Sequence, residues 1–304
     1  MLKSFIFLSF FLIVFHGANA QNDDLQKLLE SESENTKKEF TSATFKTTRI
    51  VNGHSIENTA GGVLDFRITH HFGTIERGFY DMIGLDRATM RMGLEYGINN
   101  RWMIGLGRST FEKTIDGFTK LKLLRQGTKE NGFPISVSYF GSVELKTIAF
   151  ENPERKNLFS SRLSYNHQLL IARKFNERIS LQVTPGVVHR NLVPATSDPN
   201  DILFIGSGGR FKLTKRVSLN IEYFYQLPGF RIKNSEGKDS KDAVAIGLDI
   251  ETGGHVFQVF ATNAGAITEK AFITQSFNSF TSGKILLGFC ISRVFTLRKP
   301  DDFR

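Results

Sequence analysis

From Gly62 onward, apolar and polar residues alternate at a spacing of two through a long series of segments. The pattern is cleanest at 217–227. There Val217, Leu219, Ile221, Tyr223, Tyr225 and Leu227 share one parity, and Ser218, Asn220, Glu222 and Gln226 share the other. Successive side chains of a strand point to opposite faces, so such a segment has one apolar face and one polar face. The same separation sets Leu64, Phe66, Ile68 and Phe72 against Asp65, Arg67, Thr69 and His71, and Met92, Leu94 and Tyr96 against Arg91, Gly93 and Glu95. Similar runs at 102–111, 117–126, 133–143, 161–174, 179–190, 201–213, 244–250, 257–261 and 285–295 complete about twelve strands, each near the roughly 9–11 residues that cross a membrane at a tilt.

The joints between strands come in two lengths. Short ones lie around Asn99–Arg101, Asn176–Arg178, Thr214–Arg216 and Gly253–Gly254, and long ones at 73–86, 144–160, 191–200, 228–241 and 264–282. Connections in a meander alternate between the two ends, so the short joints collect at one end and force antiparallel pairing there. The fold class expected is all-β, an antiparallel up-and-down transmembrane β-barrel of about twelve strands with its short turns in the periplasm. A secreted β-sandwich also alternates, but it does not sort its joints by end. His70, Arg108 and His167 fall on the apolar parity, which an interfacial position or a bulge would explain.

Residues 1–20 have a lone Lys3, an apolar run to Phe15 and small residues at Ala18-Asn-Ala20, the form of a cleaved secretory signal. Gln21 rather than cysteine follows the expected cut, so a lipid anchor is not expected. Beyond the signal lie a periplasmic N-terminal segment at 21–61, the barrel at 62–298 and a tail at 299–304. In the first of these Leu25, Leu28 and Leu29 align on a short helix, and Thr44–Ile56 reads as extended with a turn at Asn52-Gly53. Its polar composition predicts a flexible leader at the mouth of the barrel rather than a plug inside it.

Cys290 is the only cysteine and lies in an apolar strand, so a buried free thiol is expected and an intramolecular disulfide is excluded. The formal net charge of +9 points to anionic partners rather than to a fold. On the lumen parity Arg67, Arg91, Lys120, Lys122, Arg190, Arg210, Lys212 and Lys284 outnumber Asp65, Glu95, Glu222 and Asp249. Such a set in a narrow conduit favours anions; the alternative is a solid interior of mutually paired ions. Twelve strands lie between barrels that side chains fill and barrels that enclose channels. The adjacent His70 and His71 alternate faces and cannot share a metal. Gly206-Ser-Gly-Gly-Arg210 in a strand marks a bend or room inside the barrel rather than a phosphate loop. A twelve-stranded outer-membrane phospholipase would carry a His-x-Ser pair, and neither that nor a Gly-x-Ser-x-Gly or His-Glu-x-x-His motif occurs here. Catalytic, cofactor and metal sites are therefore not expected.

The runs Ala43-Thr-Phe-Lys-Thr-Thr-Arg-Ile-Val-Asn-Gly-His-Ser55, Gly62-Val-Leu-Asp-Phe-Arg-Ile68, Ser160–Phe175 and His189-Arg-Asn-Leu-Val-Pro194 resemble an outer-membrane barrel family of Bacteroidota classed as a domain of unknown function. The resemblance spans nearly the whole mature chain and implies the fold and the bacterial outer membrane, with no substrate or catalytic residue. The expected function is a narrow pore or facilitator for small, anionic solutes. A closed barrel that binds a surface partner through its long loops is the alternative, and a lipid-modifying enzyme is third. Outer-membrane lipid and lipopolysaccharide are the expected surroundings, nucleic acid is not an expected partner, and the barrel is expected to be a monomer.

Overall fold

The computed structural model describes residues 40–299 apart from 129–131, 151, 152, 155 and 194–196. The expected signal peptide, the helix after it and the tail beyond Lys299 lie outside these residues. The strands are β1 Val63–Thr74, β2 Thr89–Gly97, β3 Trp102–Ser109, β4 Ile115–Leu124, β5 Ser136–Leu145 and β6 Leu163–Lys174. They continue as β7 Ile179–Arg190, β8 Asp201–Lys212, β9 Val217–Gln226, β10 Ala243–Thr252, β11 His255–Thr262 and β12 Leu286–Thr296. Each pairs antiparallel with its sequence neighbours and β1 pairs with β12, so the sheet closes without an edge. Closure satisfies every strand laterally, which a β-structure needs in hydrocarbon.

The parity read from the sequence is the parity of the wall. Leu94, Leu106, Leu181, Val183, Ile221 and Val259 point outward and are exposed, while Arg67, Arg91, Lys120, Gln182 and Glu222 point inward and are buried. Leu106 is 59% exposed, a waste of apolar surface in water that becomes favourable contact in lipid. Arg108 and His167 also point outward from strands whose register is regular at those positions, so no bulge accounts for them.

Three of the short turns use one device. The Asn99 side-chain oxygen accepts from the backbone N–H of Arg101 at 2.8 Å and of Trp102 at 2.9 Å. Asn176 repeats this with Arg178 and Ile179, and the Thr214 hydroxyl with Arg216 and Val217. A short side chain that bonds the backbone two residues on replaces the bond a turn would otherwise lack. The fourth turn has Gly253 and Gly254 at φ 43° and 119°, where only glycine is unstrained. The sorting of joint lengths has two departures: 125–135 is long at the turn end, and 110–114 is short at the loop end.

The interior is filled from both ends. Residues 40–62 enter from the turn end, and the long joint 263–285 enters from the other with helix α1, Glu269–Thr274. Phe45, Ile50, Ile56, Met103, Phe118, Phe140, Leu170 and Ala172 form one buried apolar cluster. Phe272 and Ile273 of α1 form another with Val188, Ile202, Phe204, Phe224 and Ile232. The free leader expected at 21–61 is thus corrected for its described part: Thr44–Ser55, apart from the half-buried Lys46, is buried inside the barrel. Composition misleads here because the wall, not the segment, supplies the partners that order it.

Candidate functional site in the barrel lumen

The inserted segment doubles back on itself. Ser55 N donates to Thr48 O at 2.9 Å and Ile50 N to Gly53 O at 2.8 Å, which puts the reversal at Val51-Asn52, one residue before the turn expected at Asn52-Gly53. At its tip three successive N–H groups converge on one carboxylate of β9: Val51 N and Gly53 N reach Glu222 Oε2 at 3.1 Å, and Asn52 N reaches Oε1 at 2.8 Å. Successive N–H groups of a turn form a natural anion cradle, here closed by the wall. Space is matched too. A Cβ on Gly53 would collide with the Phe224 ring, and one on Gly208 of β8 with the end of Ile50. Gly206 and Gly208 therefore provide room inside the barrel, as expected, whereas Gly209 faces outward toward Leu181.

Other wall residues take the hairpin carbonyls. Lys120 Nζ donates to Ser55 O at 2.9 Å, Thr48 O at 3.3 Å and Glu57 O. Gln182 Nε2 reaches His54 O at 2.8 Å, Gln258 Nε2 reaches Ile50 O at 2.7 Å, and Arg210 Nη1 reaches Ala43 O at 2.9 Å. The hairpin is thus recognised largely through its main chain. Its side chains make the links across the lumen: the Thr48 hydroxyl donates to Glu95, and Arg49 Nη1 bonds Glu269 Oε1 of α1 at 2.8 Å and Asn52 O at 2.7 Å. The Arg49–Glu269 pair, with both side chains buried, joins the two insertions. His54 Nε2 lies 3.3 Å from the same carboxylate oxygen. Burial first, and the cations Arg49 and Lys120 after it, hold the His54 imidazole well below its usual pKa.

The structure places most of the expected basic set on the lumen side. Arg67 faces Asp65 at 3.3 Å and Arg91 forks onto Asp116 with Nε at 2.9 Å, so these two are paired within the wall. Lys120 and Arg210 serve the hairpin, and Lys122 lies 3.8 Å from Glu57. Arg190 donates to Pro199 O at 2.8 Å near the loop end, and Lys212 is half-buried near the turn end. Lys284 is a correction: it precedes β12, lies in the joint 263–285 and is exposed, because parity has no meaning outside a strand. Gln258, Glu144 and Glu269 escaped the sequence reading. Glu144 Oε1 accepts the backbone N–H of Lys270 at 2.8 Å and so helps seat α1. Cys290 is buried as expected, 3.3 Å from the Thr69 hydroxyl. One signal for the filled lumen was present. Phe118, Phe140, Leu170, Phe204, Phe224 and Phe260 all sit at lumen parity, where a water-filled conduit would not place them.

A family model described as a membrane-bound beta barrel domain matches residues 45–295, a span that opens in the lumen segment and closes in β12. No curated protein matches the sequence. Among solved structures, the NanC porin is similar at 8% identity, with 77% of this chain and 98% of that one covered and a TM-score of 0.45. An outer membrane channel from Pseudomonas putida F1 is similar at 12% identity, with coverages of 78% and 96% and a TM-score of 0.44. The outer membrane phospholipase A of Escherichia coli is similar at 10% identity, with coverages of 81% and 95% and a TM-score of 0.42. These are likenesses between barrels.

Proposed function

The chain belongs to the family of membrane-bound β-barrel domains, and on that footing we propose that it is exported to the bacterial outer membrane and acts there as a narrow facilitator for small solutes, closed in this form by its own N-terminal segment. The observation that carries this reading is the bonding of the hairpin tip. Glu222, Gln258, Gln182 and Arg210 hold main-chain groups, and water can take the place of each when the segment leaves. The ladder that closes the wall runs between strands and does not depend on the hairpin.

Departure of the segment takes Arg49 from Glu269 and leaves Lys120, Lys122 and Arg210, with Arg190 and Lys212 toward the ends, against Glu95, Glu222, Asp249 and Glu269, while Arg67 and Arg91 keep Asp65 and Asp116 and Glu144 stays on the Lys270 N–H. A mild preference for anions is the expected outcome. Planar-bilayer recordings of the refolded chain, with and without residues 21–61, test the proposal. The full chain should be silent or open rarely, and the shortened one should conduct steadily with a reversal potential on the anion side. A silent shortened barrel, or one that prefers cations, contradicts it.

A second reading is favoured by α1, whose apolar residues pack at the loop end in a cluster that includes no hairpin residue. In that reading the barrel stays closed and its joints at 144–160 and 264–282 bind a surface partner or polymer. Loss of binding to intact lipopolysaccharide on shortening those joints, in a barrel that remains silent, would favour it. Hydrolytic chemistry is left out of the proposal because the chain has no His-x-Ser pair. Phospholipid and lipopolysaccharide surround the wall as a monomeric barrel.

A further inference from the structure

His167 is a polar side chain on the lipid face of a membrane wall, and the function proposed above makes no use of it. It sits on β6 at the edge of an open groove of about 540 Å³ that crosses β5 to β8 and is lined by Tyr139, Leu169, Pro185, Val187, Leu203 and Ile205. A second outer groove, of about 590 Å³, crosses Phe72, Leu248, Val259 and Phe289. Size therefore does not set the first apart, but two polar features do.

The first is a hydrogen-bonded pair. Tyr139 Oη lies 2.6 Å from His167 Nδ1, reaching it across Gly141, which pairs with His167 in the β5–β6 register. A Cβ on Gly141 would stand 2.7 Å from that hydroxyl, so the glycine is what allows the phenol to lie there. The pair leaves Nε2 of His167 without a hydrogen bond among the described residues. Nε2 is a donor or an acceptor according to which partner holds the shared proton.

The second is a break in the ladder. Odd-numbered residues of β7 bond to β6, as the Phe175 N to Ile179 O and Asn191 N to Leu163 O bonds at the two ends show. In the register that pairs Gln168 with Gly186 and Ile171 with Val183, Pro185 stands opposite Leu169. Proline has no N–H, so the Leu169 carbonyl receives no ladder bond, in the middle of a wall where water is absent. Leu170 and Phe204 are buried behind this point, so the groove has a floor and does not lead into the lumen.

We propose that this groove binds a membrane amphiphile whose acyl chain carries a hydroxyl at mid-bilayer depth. A hydroxyl donates once and also accepts, so it gives its proton to the Leu169 carbonyl and accepts from Nε2–H of His167, the tautomer in which the Tyr139 phenol donates to Nδ1, while the chain lies on Val187, Leu203 and Ile205. A plain acyl chain leaves both polar groups unmet. The site depends on the wall being lipid-facing and not on the lumen being a pore.

The test is native mass spectrometry of the refolded full chain in neutral detergent, with 12-hydroxyoctadecanoate and octadecanoate as competing probes. The hydroxylated chain should be retained about tenfold better, as two added hydrogen bonds allow. His167→Phe removes Nε2 and Pro185→Ala restores the ladder donor, so each should abolish the preference. Phe289→Ala, in the second groove, should leave it intact. Heat-modifiable electrophoretic migration checks that each variant is a closed barrel, and Tyr139→Phe, which frees the His167 ring, should weaken the preference should Pro185→Ala fail to close. Equal retention of the two probes, or a preference that survives His167→Phe, overturns the proposal. So does efficient cross-linking between Val187→Cys copies in liposomes, which would mean that a second copy covers this face.

Discussion

Glu222 is the residue on which most of the hairpin tip depends, since its two oxygens accept from three consecutive N–H groups. Hydrogen bonds to a charged group are worth about 1.5–3 kcal/mol each, so Glu222→Ala should raise backbone hydrogen exchange at 51–53 by one to two orders of magnitude while the strands stay protected. Unchanged protection at the tip would show that packing alone holds it. Arg49 tests the link between the insertions. Arg49→Met leaves Glu269 buried without its cation, and breaking one side of such a pair costs about 3–5 kcal/mol. The double variant Arg49→Met with Glu269→Met should recover most of that loss in denaturant titrations of the refolded protein. Additive losses would mean that the pair does not couple the two elements. Both residues occur in segments with little periodicity, so the sequence could show neither their burial nor their pairing.

Helix α1 is too short to be stable alone and is seated by contacts outside itself. At its start Lys270 binds Glu112, which lies in the joint between β3 and β4 and is also 3.0 Å from Lys146. Burial alone would raise the Glu112 pKa, but Lys270 and then Lys146 outweigh it and hold the carboxyl below its usual value. A carboxyl depressed by folding stabilises the folded arrangement above its unfolded pKa, and that contribution fades as the pH falls through the depressed value. The clasp should therefore be intact at neutral pH and loosen below about pH 4, the ordinary range for glutamate. Hydrogen exchange at 269–274 should rise in acid before that of the strands, and Glu112→Gln should reduce the pH dependence to the part that Glu144 and Glu269 contribute. A helix equally protected at pH 3 and pH 7 would contradict this. For the strands, by contrast, the sequence was a sufficient guide. Their boundaries moved by at most three residues, the most at the start of β5, and each parity assignment inside them stands.

For the whole molecule, closure by interstrand pairing predicts that the barrel survives removal of its contents. The chain without residues 21–61 should refold and show the heat-modifiable migration of the full chain, because Lys120, Glu222 and Arg210 then face water instead of hydrocarbon. Failure to refold would make the hairpin part of the fold rather than an occupant. Sequence by itself determined the wall: strand count, parity, the sorting of most joints and the lumen-facing cations at Arg67, Arg91, Lys120 and Arg210. It could do so because a period of two and a turn device such as Asn99 or Asn176 are local, and a membrane forces the rest. What fills the wall was decided only in three dimensions. Lys120 and Ser55, Glu222 and Asn52, or Arg49 and Glu269 are far apart in the chain, and their bonds join side chains to main-chain groups or to segments without a repeat. Polar residues read as a free leader or an open conduit become a packed interior when each finds its partner across the barrel. Local pattern records which face a residue takes, and only the closed barrel determines what it meets there.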